Sequence, residues 1–331
     1  MAGATRSRAR SASTYPGNPG SLHLRRALRS GKAAHAYLFE GIEGCGKMTT
    51  ALAFIEAAFC RRDDGCGSCP SCRKMAGLQH PDLHRLAPEG AFIKIDQIRE
   101  LQRELSLRPV EAPMKACIID DADRLNPAAA NALLKTLEEP PGSALLILLT
   151  TNPAGILPTV RSRCQLLRFS PLPERVIEEY LTDAGREPDA ARLAASLAGG
   201  SLSRALEMEE GSAGAARQGL IERLRTLTLE EITPLFAAAE ELAADRERAV
   251  EALGTLTSLL RDILLIQGGS NGVVNRDLVA LLEEEACRVT PERTLARLGH
   301  VMEARQALQR NANPRLTMDV LLMRLADRTA P

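Results

Sequence analysis

A glycine-rich turn, residues 41–49 (GIEGCGKMT), lies between an apolar run at 36–39 and a helical pattern. A strand that passes through such a turn into a helix is typical of α/β domains with a parallel sheet. Backbone N–H groups converge at the helix N-terminus and can hold a phosphate, and a lysine at the end of the turn reaches the outer phosphates. The turn therefore predicts an α/β domain with a P-loop. The candidate nucleotide-binding residues are Gly41, Gly44, Gly46 and Lys47.

The residue after Lys47 departs from the P-loop pattern. Met48 stands where a serine or threonine would place a hydroxyl on Mg²⁺, and a thioether is a soft ligand that Mg²⁺ does not favour. Thr49 follows one residue later, rotated by about 100° around the helix. We therefore expect ATP and Mg²⁺ to be held weakly. A glycine-rich turn that holds no nucleotide is the alternative.

Two further apolar runs end in polar side chains. Residues 116–119 are followed by Asp120 and Asp121, and residues 145–149 are followed by two threonines, of which Thr151 is the second. Ligand sites of open α/β sheets lie at the carboxyl ends of the strands. Asp120 would hold Mg²⁺ through water, whereas Asp121 occupies the place of a catalytic glutamate but is one methylene shorter, which disfavours efficient hydrolysis. Acids that merely solubilise a strand end are the alternative.

Four of the eight cysteines lie within thirteen residues. Four thiolates at this spacing can close tetrahedrally on Zn²⁺ without leaving an open position, which predicts a structural zinc module at 60–72. The nearby His80 and His84 are interpreted as packing or surface residues, and reduced free thiols are the alternative to a metal site. The candidate zinc ligands are Cys60, Cys66, Cys69 and Cys72.

Composition excludes several classes of protein. The chain has 42 basic and 42 acidic residues, which argues against a strongly basic DNA-binding protein. Aromatic residues make up only 3% of the chain, which disfavours single-strand binding on stacked aromatics. No apolar run approaches the roughly 20 residues needed to span a membrane, so we expect no membrane partner and a cytoplasmic protein.

The pattern changes along the chain and predicts four parts. Residues 1–20 read as a disordered tail, and 21–173 alternate strand and helix patterns as in a parallel α/β domain. Residues 174–208 and 209–331 read as helices only, a small helical domain and a larger one. Arg163 lies in a loop after the last predicted strand; such an arginine is either a solvated charge or a residue that reaches a neighbouring subunit's phosphates.

Taken together, these motifs resemble the bacterial clamp-loader AAA+ subunits of DNA polymerase III. The resemblance rests on the P-loop, the cysteine loop after its helix, the segment 131–141 (NALLKTLEEPP) and the sequence Ser-Arg-Cys at 162–164. It implies a RecA-like AAA+ domain with an inserted zinc module, a small helical lid, and an all-α C-terminal collar that holds a ring together.

Two branches of that family are candidates, the gamma/tau motor ATPases and the delta-prime subunits. Three features favour the delta-prime branch: Met48, the sequence His-Pro-Asp-Leu at 80–83, and Ser203. Ser203 aligns with the sensor 2 arginine of a motor, and Arg204 is offset from that position by one residue. An active gamma-type motor is the alternative, and an unrelated P-loop enzyme such as a nucleotide kinase is a third hypothesis.

The resemblance further implies a role for individual residues and for the whole chain. Thr151 would take the sensor 1 position, and Arg163 would act in trans on a neighbour's ATP. The chain would be a stator with weak or absent hydrolysis of its own in a hetero-pentameric ring with gamma/tau and delta subunits. That ring would load a sliding clamp onto primed DNA.

Overall fold

The computed structural model describes residues 24, 26–28, 30–62, 65–208, 212–226, 228–270, 272–310 and 312–327. The tail predicted for residues 1–20 lies outside these described residues. The described chain divides into two compact units. One unit comprises the residues up to Tyr180 together with Gly199–Arg204, and the other comprises Leu181–Ala198 together with the residues from Ala205 onward. The separate small domain at 174–208 stays a prediction.

Five parallel strands form one sheet in the order β2-β3-β4-β1-β5. The three central strands contain the three runs predicted from the sequence, and each is one or two residues longer than its run. The two edge strands were not predicted, because half-exposed edge strands alternate apolar with polar side chains and are short. The strands are β1 Ala36–Glu40, β2 Leu83–Leu86, β3 Lys115–Ile119, β4 Ala144–Thr150 and β5 Gln165–Arg168.

Helices cover both faces of this sheet, as parallel connections require. Alternation along β1 sends Tyr37 and Phe39 into a buried cluster on one face and Leu38 into a second cluster on the other. The first cluster includes side chains of the helix after the P-loop, and the second includes side chains of the third and fourth helices. The helices are α1 Lys47–Phe59, α2 Pro70–Ala76, α3 Ile95–Ser106, α4 Pro127–Glu138 and α5 Pro158–Arg161.

The described residues after 173 contain helices and no strand, which confirms the helical C-terminal region. Leu253, Leu256 and Leu260 are buried in the core of the second unit. No helix among the described residues is both long enough and apolar enough to cross a bilayer. The helices are α6 Glu174–Asp183, α7 Pro188–Leu197, α8 Leu202–Glu207, α9 Ser212–Thr226, α10 Ile232–Leu242, α11 Arg246–Gln267, α12 Val279–Arg288, α13 Pro291–Gln309 and α14 Pro314–Ala326.

Candidate functional site

The carboxyl ends of three adjacent strands bring the predicted nucleotide-site residues to one edge of the sheet. The P-loop follows β1, Asp120 follows β3, and Thr151 follows β4. Because β4 lies between β3 and β1 in a parallel sheet, all three loops leave the sheet side by side. The fold therefore places these residues side by side.

The lysine of the P-loop forms hydrogen bonds within the loop itself. Gly44 and Gly46 have φ values of 71° and 94°, a left-handed conformation that side chains disfavour. The buried Lys47 ammonium donates to the carbonyl oxygens of Gly41 at 2.7 Å and Ile42 at 2.8 Å. Burial lowers the pKa of Lys47, against the opposing influence of nearby groups that include Cys45 and both acids after β3. The lysine thus has partners within its own loop.

A segment beyond the sheet, Gly199–Arg204, contacts this turn. The Leu202 N–H donates to the Gly44 carbonyl at 3.0 Å. A Cβ on residue 44 would lie 2.3 Å from the hydroxyl oxygens of Ser201 and Ser203, so only glycine fits there. Ser203 therefore packs on the P-loop, and Arg204 is exposed.

The two residues after Lys47 face different surroundings. Met48 packs against the buried cluster that contains Tyr37 and Phe39. Thr49 is exposed one position further along α1. The position after the lysine therefore points a thioether into the core and provides no hydroxyl for Mg²⁺.

The acids after β3 form a compact group. Asp121 has a φ of 45°, a left-handed conformation that is uncommon for residues other than glycine. Burial raises its pKa, and the neighbouring carboxylates Asp120 and Asp123 raise it further. Asp123 accepts a 2.5 Å hydrogen bond from the buried hydroxyl of Thr150. These carboxylates make the potential at the carboxyl end of β3 negative, and, against the larger effect of burial, Asp120 and Asp121 raise the pKa of Lys47 in the P-loop.

Thr150 is the threonine that bonds to this acidic group, and the predicted site residue Thr151 follows it in the chain. Thr150 is the last residue of β4 and is buried, whereas Thr151 is exposed. The strand predicted from the sequence ends at residue 149, whereas β4 continues through Thr150.

Arg163 lies in the turn between α5 and β5 and is held from two sides. Its guanidinium donates to the Thr159 carbonyl at 2.9 Å and pairs with the Glu138 carboxylate at 2.5 Å. The side chain remains 36% exposed. An arginine so placed keeps donors available for an anion outside its own chain.

The four predicted metal ligands converge at the end of α1 and the start of α2. Their sulfur atoms all lie within 4.8 Å of one another, and those of Cys66 and Cys72 are 4.0 Å apart. Sulfur atoms on a tetrahedral zinc ion are about 3.8 Å apart, since the Zn–S bond is about 2.3 Å. The N–H groups of Cys66 and Cys72 donate to the sulfurs of Cys60 and Cys69, both at 3.4 Å. This arrangement can hold a metal ion.

The two nearby histidines are not part of that cluster. The ring of His80 packs on Phe59 with centroids 4.6 Å apart, and its Nδ1 accepts from the Asp82 N–H at 3.2 Å. His84 lies on β2. Burial lowers the pKa of both histidines and so favours their neutral form.

Asp82, in the His-Pro-Asp-Leu sequence at 80–83, has a structural role that the sequence does not indicate. Its buried carboxylate accepts three backbone N–H groups, from Val110 at 2.7 Å and from Glu111 and Ala112 at 2.8 Å each. Burial raises its pKa, but the three amides, first that of Ala112, together hold the pKa below its ordinary value. Asp82 thus fixes the loop that leads into β3.

Comparison with known proteins identifies the family of this chain. A family model described as "DNA polymerase III, delta subunit" matches residues 20–173, and a C-terminal model of the same subunit matches residues 213–327. The subunit delta' of Bacillus subtilis is 32% identical over 311 residues, which is 92% of this chain and 94% of that protein. The chain belongs to the DNA polymerase III subunit delta' family. The Escherichia coli delta' subunit is 33% identical over 308 residues, 90% of this chain and 91% of that protein.

The gamma/tau subunits are more distant relatives of this delta' family member. The gamma/tau subunit of Mycobacterium bovis is 29% identical over 334 residues, which is 90% of this chain but 58% of that protein. The comparisons therefore support the delta' interpretation over that of a gamma-type motor, as Met48 and Ser203 predicted.

Proposed function

We propose that this chain is the stator subunit of a clamp-loader ring. It would assemble with gamma/tau and delta subunits into a hetero-pentamer that loads a sliding clamp onto primed DNA. In that ring its own nucleotide site hydrolyses ATP weakly or not at all, while Arg163 completes the site of an adjacent gamma subunit. Membership of the delta' family supports this assignment.

The observation that carries the proposal is the contrast between the chain's own nucleotide site and Arg163. In the chain's own site, Met48 packs into the core and Lys47 is bonded to its own loop. Arg163, in contrast, is partly exposed and presents its guanidinium on a rigid turn. A subunit with this combination can stabilise transferred charge for a neighbour without turning over ATP itself.

The isolated chain is the first test. We expect the purified chain with Mg²⁺ to hydrolyse ATP no faster than its Lys47→Ala variant, because no hydroxyl completes the Mg²⁺ site. Steady-state phosphate release measures the rate. Mixing the wild-type chain with matching gamma and delta subunits should restore turnover that belongs to the gamma sites.

Turnover by the isolated chain that is lost in Lys47→Ala would contradict the stator assignment. It would mean that Thr49 or a water molecule replaces the missing hydroxyl, and the gamma-type motor would become the better interpretation. ATP binding without turnover is compatible with the proposal, since the glycine turn retains its backbone donors.

The cysteine cluster is proposed to hold structural Zn²⁺. Four soft thiolate donors fit zinc, and a closed four-sulfur set leaves no position for water or substrate. Cys69 is also the N-cap of α2, so metal binding would fix the start of that helix. The ion would therefore order the module and take no part in phosphoryl transfer.

Removal of the metal tests this role. We expect chelation, or the variant Cys69→Ser, to increase backbone hydrogen exchange at the ends of α1 and α2 while the ATPase of the assembled complex stays unchanged. Mass-resolved hydrogen exchange and metal analysis report the two effects. Cys287→Ser, at an exposed cysteine outside the cluster, is the matched control and should leave the metal content unaltered. Loss of complex ATPase while assembly survives would contradict a purely structural ion.

The collar role is supported by exposed apolar side chains on two neighbouring helices. Arg315 on α14 donates to the Phe236 carbonyl on α10 at 2.9 Å, so these helices lie side by side. Where exposed apolar side chains of neighbouring helices adjoin, they offer a contact surface to another protein, and we propose this role for the two helices. The exposed side chains on the two helices are Ile232, Phe236, Leu316 and Val320.

A further inference from the structure

Glu138 lies in a well-anchored part of the α/β unit. It is the last residue of α4, and Pro140 and Pro141 follow shortly after. The two residues before it, Thr136 and Leu137, are buried. Their polar groups are anchored, since Gln102 donates to the Thr136 hydroxyl at 2.8 Å and the His35 ring lies 3.0 Å from the Leu137 carbonyl. The Glu138 backbone therefore has little freedom.

A glutamate at this place is not explained by helix stability. The C-terminal end of a helix carries partial negative charge, which repels a carboxylate. Two acids, Glu138 and Glu139, nevertheless end α4. Arg163 is the partner of Glu138, with an Nη2–Oε1 distance of 2.5 Å, and it supplies the compensating charge.

Three contacts of Arg163, including one of 3.4 Å to the Ser162 hydroxyl, fix the direction of its guanidinium. Nη2 pairs with Glu138, while Nη1 donates to the Thr159 carbonyl at 2.9 Å. An unrestrained arginine has many rotamers, and holding it in one orientation removes the entropy cost of ordering it at a phosphate. A guanidinium carries five N–H donors, so these contacts leave donors for a second anion.

We propose that Glu138 is a positioning residue for Arg163. The carboxylate holds the guanidinium in the orientation in which it meets the neighbouring subunit's ATP. This inference rests on the proposed trans role of Arg163. It also gives a function to the second half of the segment 131–141, in which Glu138 is followed by Glu139 and the two prolines.

The test compares variants in the reconstituted complex with gamma and delta subunits. The Arg163-dependent ATPase is the difference between the wild-type and Arg163→Ala complexes. We expect Glu138→Ala to lower the kcat of that part about tenfold, since displaced catalytic groups commonly cost this much, with KM for ATP unchanged. Glu138→Gln should retain most of the rate, because its amide oxygen still accepts from Arg163. Glu139→Ala, at the exposed neighbouring acid, is the matched control and should behave as wild type.

A double-mutant cycle separates positioning from a general structural effect. In the Arg163→Ala background, Glu138→Ala should have no further effect on kcat. A further loss in that background, or an unchanged or increased rate with Glu138→Ala alone, would overturn the inference while leaving the trans role of Arg163 intact. If Arg163→Ala itself leaves the complex ATPase unchanged, the proposed function fails first, and the two failures are thereby distinguished.

Discussion

Arg163→Ala is expected to lower ATP turnover at the neighbouring site by about a thousandfold, as the loss of an arginine finger does in other phosphoryl-transfer sites. The charge that the guanidinium stabilises develops only in the transition state, so the effect should fall on kcat and not on ATP binding. The total ATPase of the complex should drop to the rate that its remaining sites deliver. Pre-steady-state phosphate release from the reconstituted complex measures the turnover at the neighbouring site and the total ATPase.

The control for this prediction lies two residues earlier. Arg161 is exposed at the end of α5 and belongs to the same basic turn. Arg161→Ala should leave the rate of the complex unaltered, whereas a general effect of positive charge would lower it equally. Circular dichroism should show both variants folded, because Arg163 is half-exposed and its loss opens no cavity. An unchanged complex rate with Arg163→Ala would refute the trans role.

Asp82→Ala is expected to cause the largest loss of stability. Three backbone N–H groups lose one shared acceptor, and unmade hydrogen bonds to a buried carboxylate together cost about 3 kcal/mol or more. The loop before β3 should detach from the start of β2, which would weaken the edge of the sheet. The midpoint of urea unfolding measures the loss. Asp96→Ala is the control, since the Asp96 side chain is 85% exposed and its removal should cost less than about 1 kcal/mol.

The same interaction has a defined pH dependence. The folded pKa of Asp82 lies below its ordinary value of 3.8, so the unfolded chain binds the proton more tightly. The stabilisation by the carboxylate is therefore fully present above that ordinary value and is lost as the pH falls through the lower folded pKa. The stability difference between wild type and Asp82→Asn should shrink on acidification below about pH 4. A difference that stays constant down to pH 2 would contradict the assignment.

Much of the α/β unit could be predicted because its central strands are fully buried. Such strands are continuous apolar runs and are easy to recognise in a sequence. The edge strands β2 (LHRL) and β5 (QLLR) carry polar side chains toward solvent, and their short patterns resemble loops. Pairing with a neighbouring strand decides their conformation, and the sequence does not display that pairing.

In the candidate site, too, features formed by residues close in the chain could be predicted, and contacts between distant residues could not. The cysteine spacing and the substitution at Met48 are local, and both could be interpreted from the sequence. The contacts of Glu138 with Arg163 and of Asp82 with the loop before β3 join residues that lie far apart in the chain. Only the fold brings these partners together, so no periodicity or spacing could have indicated them.

The bond from the Leu202 N–H to the Gly44 carbonyl has a consequence for anyone who divides this protein into fragments. A fragment that ends near residue 173 would lack Gly199–Arg204 and would leave Gly44 uncovered. The nucleotide affinity measured for such a fragment would therefore not apply to the intact protein, in which Gly199–Arg204 covers the turn. Chimeras that exchange the α/β region with a gamma-type subunit should therefore carry Gly199–Arg204 from the same parent as the P-loop.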